Sequence, residues 1–435
     1  MSIIPDIRFD KIFCGVIIYA IKKITFGSGN MLLNEKTNIY GRDVGNRVVL
    51  HPMEGCDSAP DGGIGELTRR RYLRFAESGA GIIWFEATAV SAECRANPRQ
   101  LYLNENNKES FRSLVAEIKK RALECCGFEP LIIMQATNSG RWSKPSGTPE
   151  PLIAYHNELW EKGKEDLPYT VVTDEYCDGI VEKYAQAARL ASYAGFDGID
   201  VKCCHGYLMN ELLSAYSREG KYGGSFENRT RLYFDCLKAV FENKSDSLFV
   251  TTRLNACDCF DYPYGFGVNE KNEIDLTETK MIISRLADMG IELINLTLGN
   301  PYLIPHINRP CLNAPEDGMD GEKRIYRITK ELQQAFPNMK LIMSGLSYLG
   351  ADCIDYAEKA LEDSAAYFAG FGRMSFCYPT FYADFLKNGK PDKSKCCLAC
   401  GKCTELMRHG AVAGCPMRDK EVYMPIYKKY VLGRE

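Results

Sequence analysis

From about Asn46 onward the chain repeats one unit: a short apolar run, a turn, a longer charged stretch, and then the same again. Short runs rich in β-branched and aromatic residues, bounded by turn residues, predict strands at residues 47–51, 82–87, 131–135, 198–202, 249–254, 293–296, 341–343 and 366–369. The stretches between them carry apolar residues at helical spacing and predict helices at 67–78, 110–123, 175–193, 228–242, 277–288, 321–336, 351–362 and 380–388. Gly79, Gly195 and Gly290 each fall where a helix ends and a strand begins, the place for a left-handed cap that reverses the chain. Eight strand-helix units with tight returns predict an α/β fold, a (β/α)8 TIM barrel, rather than a doubly wound sheet. The expected organisation is an N-terminal arm at 1–40, the barrel at 41–389 and a short Cys-rich segment at 390–435. Two strand-to-helix loops, 136–172 and 298–320, are long enough to bind ligands or act as lids.

Composition narrows the function classes. Charged residues make up 26% and the formal net charge is −3, so no basic surplus points to nucleic acid or an anionic membrane as partner. The apolar run at residues 12–21 is well short of the roughly 20 residues that span a bilayer, and it lacks the flanks of a signal peptide. It reads as a packing arm. The 19 Cys are an odd number and include adjacent pairs such as Cys125-Cys126 and Cys203-Cys204, unlike a secreted disulfide framework; a reducing, cytoplasmic location is expected.

The C-terminal stretch carries the most specific chemistry. Cys397-Leu-Ala-Cys400-Gly-Lys-Cys403 is followed, after eleven residues, by Cys415-Pro416. Three thiolates at this spacing can converge on one face of an inorganic cluster, with the fourth arriving from a short loop. Four Cys also suit zinc, but zinc sites usually pair two Cys-x-x-Cys halves, so the string of three favours iron-sulfur. Cys396 is the alternative first ligand.

In a parallel barrel, ligands bind at the carboxyl ends of the strands. The fourth predicted strand delivers Lys202, His205 and Tyr207 there, three groups that can donate or exchange protons. The first strand runs into His51-Pro52-Met53-Glu54-Gly55-Cys56, the second ends in Glu86-Ala87, the third in Gln135 and the fifth in Arg253. A Gln and an Arg beside small residues suit a flat heteroaromatic ring: space for its face, hydrogen bonds for its carbonyl edge, and a cation where charge develops on reduction. Taken singly, Gln135 and Arg253 read as solvated strand ends. Ser344-Gly345-Leu346 after the seventh strand and Gly372-Arg373 after the eighth match the usual barrel phosphate site, where backbone N–H groups and a helix N-terminus cradle an anion.

With these residues in place the chain resembles the Old Yellow Enzyme family of flavin-dependent ene-reductases over about residues 40–388. The motifs that carry the resemblance are His51-Pro-Met, Ile83-Trp-Phe-Glu-Ala-Thr-Ala-Val90, Gln135, His205-Gly-Tyr-Leu, Tyr222-Gly-Gly-Ser-Phe-Glu-Asn-Arg229, Arg253 and Gly372-Arg373. The cysteine tail resembles the iron-sulfur branch, which includes the barrel of bacterial 2,4-dienoyl-CoA reductase and reductases of steroid and bile-acid enones. The resemblance implies noncovalent FMN and a [4Fe-4S] cluster, the latter on Cys397, Cys400, Cys403 and Cys415. It implies FMN contacts from Pro52, Met53, Glu54, Ala87, Gln135 and Arg253 around the ring, and from Ser344, Gly345, Leu346, Gly372 and Arg373 near the phosphate. It also implies Tyr207 as proton donor to an alkene activated by a carbonyl or carboxyl group, with Lys202 and His205 holding that group.

Three departures from the family pattern shape the expectations. Lys202 and His205 stand where relatives present His-x-x-His or His-x-x-Asn as the carbonyl clamp; Lys202 is expected as a ligand of the substrate or of the flavin edge, which bears on substrate class. Glu54 stands where relatives place Thr or Cys beside the flavin. No Gly-x-Gly-x-x-Gly fingerprint follows the cysteines before Glu435, so electrons are expected from NAD(P)H over the flavin or from a separate protein docking near the tail. The expected partner is otherwise a small α,β-unsaturated substrate, with homo-oligomerisation left open. Two rival readings are an amine dehydrogenase or demethylase of the same family, exporting electrons through the cluster, and a flavin-free barrel whose cysteines bind zinc as an interaction module.

Overall fold

The computed structural model describes residues 31–434. The apolar run at 12–21 lies outside the described residues. Eight strands close into one barrel: β1 (Val48–Leu50), β2 (Ile82–Ala89), β3 (Leu131–Thr137), β4 (Gly198–Val201), β5 (Phe249–Cys257), β6 (Leu293–Leu298), β7 (Lys340–Met343) and β8 (Phe368–Phe371). Every neighbouring pair is parallel, and β8 closes on β1 through Ala369↔Val48 and Phe371↔Leu50. The expected (β/α)8 TIM barrel is therefore the fold.

Alternation along the strands divides the core in two. Val49, Ile82, Trp84, Leu131, Ile133, Phe249, Leu293, Ile342 and Phe368 pack together inside the barrel. Their neighbours Leu50, Ile83, Phe85, Ile132, Ile294 and Leu341 face outward into the larger core under the helices. Those helices are α1 (Glu66–Ala76), α2 (Lys108–Cys126), α3 (Asp174–Ala194), α4 (Phe226–Asn243), α5 (Thr277–Asp288), α6 (Gly318–Ala335), α7 (Cys353–Glu362) and α8 (Phe381–Asn388). Side-chain caps start α3, α4 and α6: the oxygens of Thr173, Ser225 and Asp317 accept from the backbone N–H groups of Tyr176, Asn228 and Met319. Gly79, Gly195 and Gly290 all have left-handed φ, between +75° and +83°.

A hairpin of Thr37–Ile39 and Arg42–Val44 straddles residue 40 and plugs the amino end of the barrel with Ile39 and Val44. Its turn residue Tyr40 stacks on Phe249 at 4.6 Å. Helical or strand periodicity cannot build up over three-residue strands, so the hairpin was not foreseen. Observed strands differ from expectation mainly at their carboxyl ends. β2, β3, β5 and β6 run on by two or three residues, and β8 lies at 368–371 rather than 366–369 because its register to β1 pairs Gly370 with Val49. After α8, two helices, α9 (Lys402–Arg408) and α10 (Lys420–Tyr430), fold against the barrel. Asp419 before α10 takes ion pairs from Arg70 at 2.7 Å and Arg74 at 2.5 Å, both on α1.

Candidate active site

The one acidic residue of β4, Asp200, is fully buried and organises three strands. Its carboxylate accepts from Gln135 Nε2 at 2.6 Å, Trp84 Nε1 at 2.8 Å and the Arg253 backbone N–H at 2.7 Å. Burial pushes this carboxyl up to about 6 against the pull of those donors. A buried carboxylate is tolerable when its lone pairs are satisfied, and here satisfying it fixes Gln135 and Arg253 on either side of β4. Sequence reasoning passed over Asp200; the available signal was a lone acid inside an apolar strand. Arg253 is 7% exposed and its Nε is buried with no hydrogen-bond partner among the described residues. Ala87, on β2, adds a small buried residue to this rim.

Beyond the end of β4 the chain brings Lys202, His205 and Tyr207 together. The Tyr207 hydroxyl donates to Glu54 Oε1 at 3.1 Å and lies 3.0 Å from the Tyr302 hydroxyl. Lys202 Nζ sits 3.6 Å from the centroid of the Tyr207 ring, a cation–π contact inside the protein. Tyr302 comes from the 298–320 loop and stacks on Trp142 of the 136–172 loop with centroids 4.2 Å apart, so the two long loops meet over Tyr207. His205, at φ +68°, places Nε2 3.4 Å from Thr297 Oγ1 and 3.3 Å from Asn308 Nδ2. Burial raises the Glu54 carboxyl, with Lys202 pulling the other way, and burial lowers Lys202. Burial, then the charges of Arg253 and Lys202, hold His205 well below the usual imidazole range, and burial drives Tyr207 well above the usual phenol range. The phenol thus keeps its proton.

Glu54 reaches Tyr207 because its loop is pinned. The Gly55 N–H donates to Glu86 Oε2 at 2.8 Å, and the Arg71 guanidinium bridges Glu86 at 2.7 Å and Asp57 at 2.8 Å. From the tail, the Ala413 N–H donates to Gly55 O at 2.6 Å. Pro52 and Met53 precede Glu54 on this loop, and Met53 Sδ is 3.1 Å from where a Cβ on Gly372 would lie. Further round the rim, Ser344 donates to Leu296 O, Gly345 has φ +95°, and Leu346 starts a 3-10 segment whose first two residues are buried. Gly372 precedes a short helix, Arg373–Cys377, and the Arg373 guanidinium, 7% exposed, donates to Pro310 O at 2.7 Å.

In the tail, Cys397, Cys400, Cys403 and Cys415 line one cavity together with Arg373. The Cys396 thiol turns away and donates to Asp392 O at 3.3 Å. Hydrogen bonding from the Cys377 thiol pulls both Cys397 and Cys415 below the usual thiol range, whereas burial pushes Cys403 up to about 11. Cys377 was not foreseen, because it belongs to the helix after β8, 20 residues before the motif. Among the described residues no three His, Cys, Asp or Glu side chains converge on a single ion-sized point.

Residues 38–297 match the model of the NADH:flavin oxidoreductase / NADH oxidase family. An NADPH dehydrogenase of Clostridium acetobutylicum is 30% identical over 282 residues, 64% of this chain and 76% of that protein. An NADH oxidase of Thermoanaerobacter brockii is 25% identical over 364 residues, 82% of this chain and 50% of that one. Among solved structures, a 2-naphthoyl-CoA reductase superposes with a TM-score of 0.75 at 19% identity over 92% of this chain; the chain spans 58% of that structure's length. No described helix is long and apolar enough to cross a membrane. A closed barrel and a family match across most of that barrel agree: the chain belongs to the NADH:flavin oxidoreductase / NADH oxidase family, the Old Yellow Enzyme family of FMN-dependent oxidoreductases.

Proposed function

We propose that the protein reduces an alkene conjugated to a carbonyl or carboxyl group, with Tyr207 as proton donor. The observation that carries this reading is the Tyr207 phenol, 3.1 Å from Glu54 and 3.0 Å from Tyr302, on the same rim as Gln135 and Arg253. The rim fits FMN: Arg253 is a buried cation with an unpartnered Nε for the ring edge, Ala87 leaves room for its face, and Arg373 with Gly345 and Gly372 suits its phosphate. When bound and reduced by NAD(P)H, FMN would supply hydride from N5 to the β-carbon of the alkene. Tyr207 gives its proton to the α-carbon and is re-protonated through Glu54. Lys202 and His205 flank the activating oxygen and stabilise the negative charge that develops on it.

Cys397, Cys400, Cys403 and Cys415 would hold a [4Fe-4S] cluster, which supplies single-electron transfer. These four Cys line one cavity, and three of them strung two residues apart suit a cluster better than the paired Cys-x-x-Cys halves usual for zinc. A separate electron-donor protein docking near this tail is the alternative to NAD(P)H. The amine-oxidising reading gains nothing from Cys56. That thiol is buried beside Glu54, burial holds it well above the usual range, and it accepts from Asn97 Nδ2 at 3.4 Å, so it offers no thiolate for a covalent flavin bond.

Anaerobic purification followed by a visible spectrum and NAD(P)H oxidation against a panel of enones and enoates tests the proposal. Flavin bands, a broad iron-sulfur shoulder and coenzyme consumption that depends on the alkene are expected. A colourless protein would sink it, and flavin that stays with the acid-precipitated chain would favour amine oxidation instead.

A further inference from the structure

Glu322 is the most exceptional polar residue of the rim. It lies in the first turns of α6, is fully buried, and both of its carboxyl oxygens lack a hydrogen-bond partner among the described residues. Its Oε2 fills the space that a side chain on Gly345 would occupy, with Ile325 Cδ1 beside it. Two charged or titratable groups act on it from neighbouring elements: the Arg373 guanidinium from the helix after β8, and the Tyr356 phenol from α7. A buried carboxylate with no donors costs several kcal/mol, so such a group stays neutral or waits for a ligand. Burial pushes Glu322 up to about 8, with Arg373 pulling it down, so at neutral pH it carries a proton. Protonated, it becomes the one donor in a carboxyl group that otherwise only accepts.

We propose that Glu322 is a proton-bearing ligand of the cofactor's phosphate, donating a hydrogen bond to a phosphate oxygen held between Gly345 and Arg373. This rests on the FMN reading above. The geometry points to this role because Glu322 abuts Gly345 and feels the charge of Arg373, both of which suit a phosphate, while its own oxygens have no partner among the described residues. A dianionic phosphate tolerates a neutral acid and repels a carboxylate, so the seat is specific for a phosphorylated flavin below the point where Glu322 ionises.

Fluorescence titration of the flavin-free protein with FMN and with riboflavin, from pH 7 to 9.5, tests this. The phosphate is already close to dianionic throughout that window, its second pKa being about 6. Tyr356, pushed up to about 12 by burial, stays neutral throughout. The Kd for FMN should rise about tenfold between pH 8 and 9.5, while the Kd for riboflavin stays flat. In Glu322→Gln, whose amide donates without titrating, FMN binding should lose this pH dependence. A flat FMN profile in the unmodified protein overturns the inference while leaving the FMN reading intact. So does a riboflavin profile that rises in parallel. Failure to bind FMN at any pH overturns both.

Discussion

At the ring end of the proposed flavin seat, strand residues are tied to one another: Asp200 takes three donors, from β2, β3 and β5, and leaves the Arg253 Nε without a partner among the described residues. At the phosphate end the polar groups sit on loops and helix starts, and Glu322 has no partner among the described residues. Strand residues locked by a network cannot relax without breaking several hydrogen bonds at once. Groups at helix starts and loops depend instead on what they bind. The ring end should therefore fail through chemistry or stability, and the phosphate end through ligand affinity and pH.

The largest effect is expected for Tyr207→Phe. Loss of the proton donor should reduce alkene-dependent NAD(P)H oxidation on the order of 10³-fold, with bound flavin retained by absorbance. If flavin is lost together with the hydroxyl, the ring end is not independently organised and the comparison breaks. Asp200→Ala comes next. It strips the Gln135 amide, the Trp84 indole and the Arg253 backbone N–H of their shared acceptor, and urea unfolding should show a loss of about 3 kcal/mol. An unchanged midpoint would mean that water or a rearranged neighbour serves these donors equally well.

Lys202→Met should weaken substrate binding or turnover by about 2 kcal/mol, roughly 30-fold, through loss of the cation beside Tyr207. Steady-state kinetics with an enoate reads it, and an unaltered profile would make Lys202 a packing residue.

The smallest effect concerns Glu322 in the flavin-free protein. Its folded value of about 8 lies above the ordinary 4.5, so its contribution to stability is complete below about pH 4.5 and is lost as pH rises through 8. The unfolding free energy from urea titration should fall between pH 7 and 9 by about 1 kcal/mol, and Glu322→Gln should abolish that part of the fall. Identical pH profiles for the two proteins would place a donor on Glu322 and make the two ends alike.

Much of this barrel was legible in advance. The strand starts at 82, 131, 198, 249 and 293 and the three reversing glycines follow from local periodicity and backbone sterics, which act over a few residues. The gathering of Lys202, His205 and Tyr207 was legible for the same reason, since a strand end puts its next few residues on one rim. So was the grouping of Cys397, Cys400 and Cys403.

Tertiary structure decided the rest. The Glu54 carboxyl meets Tyr207, 153 positions away, because Glu86, Arg71 and the tail at Ala413 pin its loop. Asp200 finds Gln135 65 positions away, Tyr302 finds Trp142 across two loops, and Cys377 finds Cys397 and Cys415 only after the tail folds back. Barrel closure and burial choose these partners by removing water from polar groups and leaving them whichever donors lie within reach. The sequence by itself determined the repeating elements and the chemistry at their ends. Which of those groups are satisfied, and which are left for a ligand, depended on the packing of residues far apart in the chain.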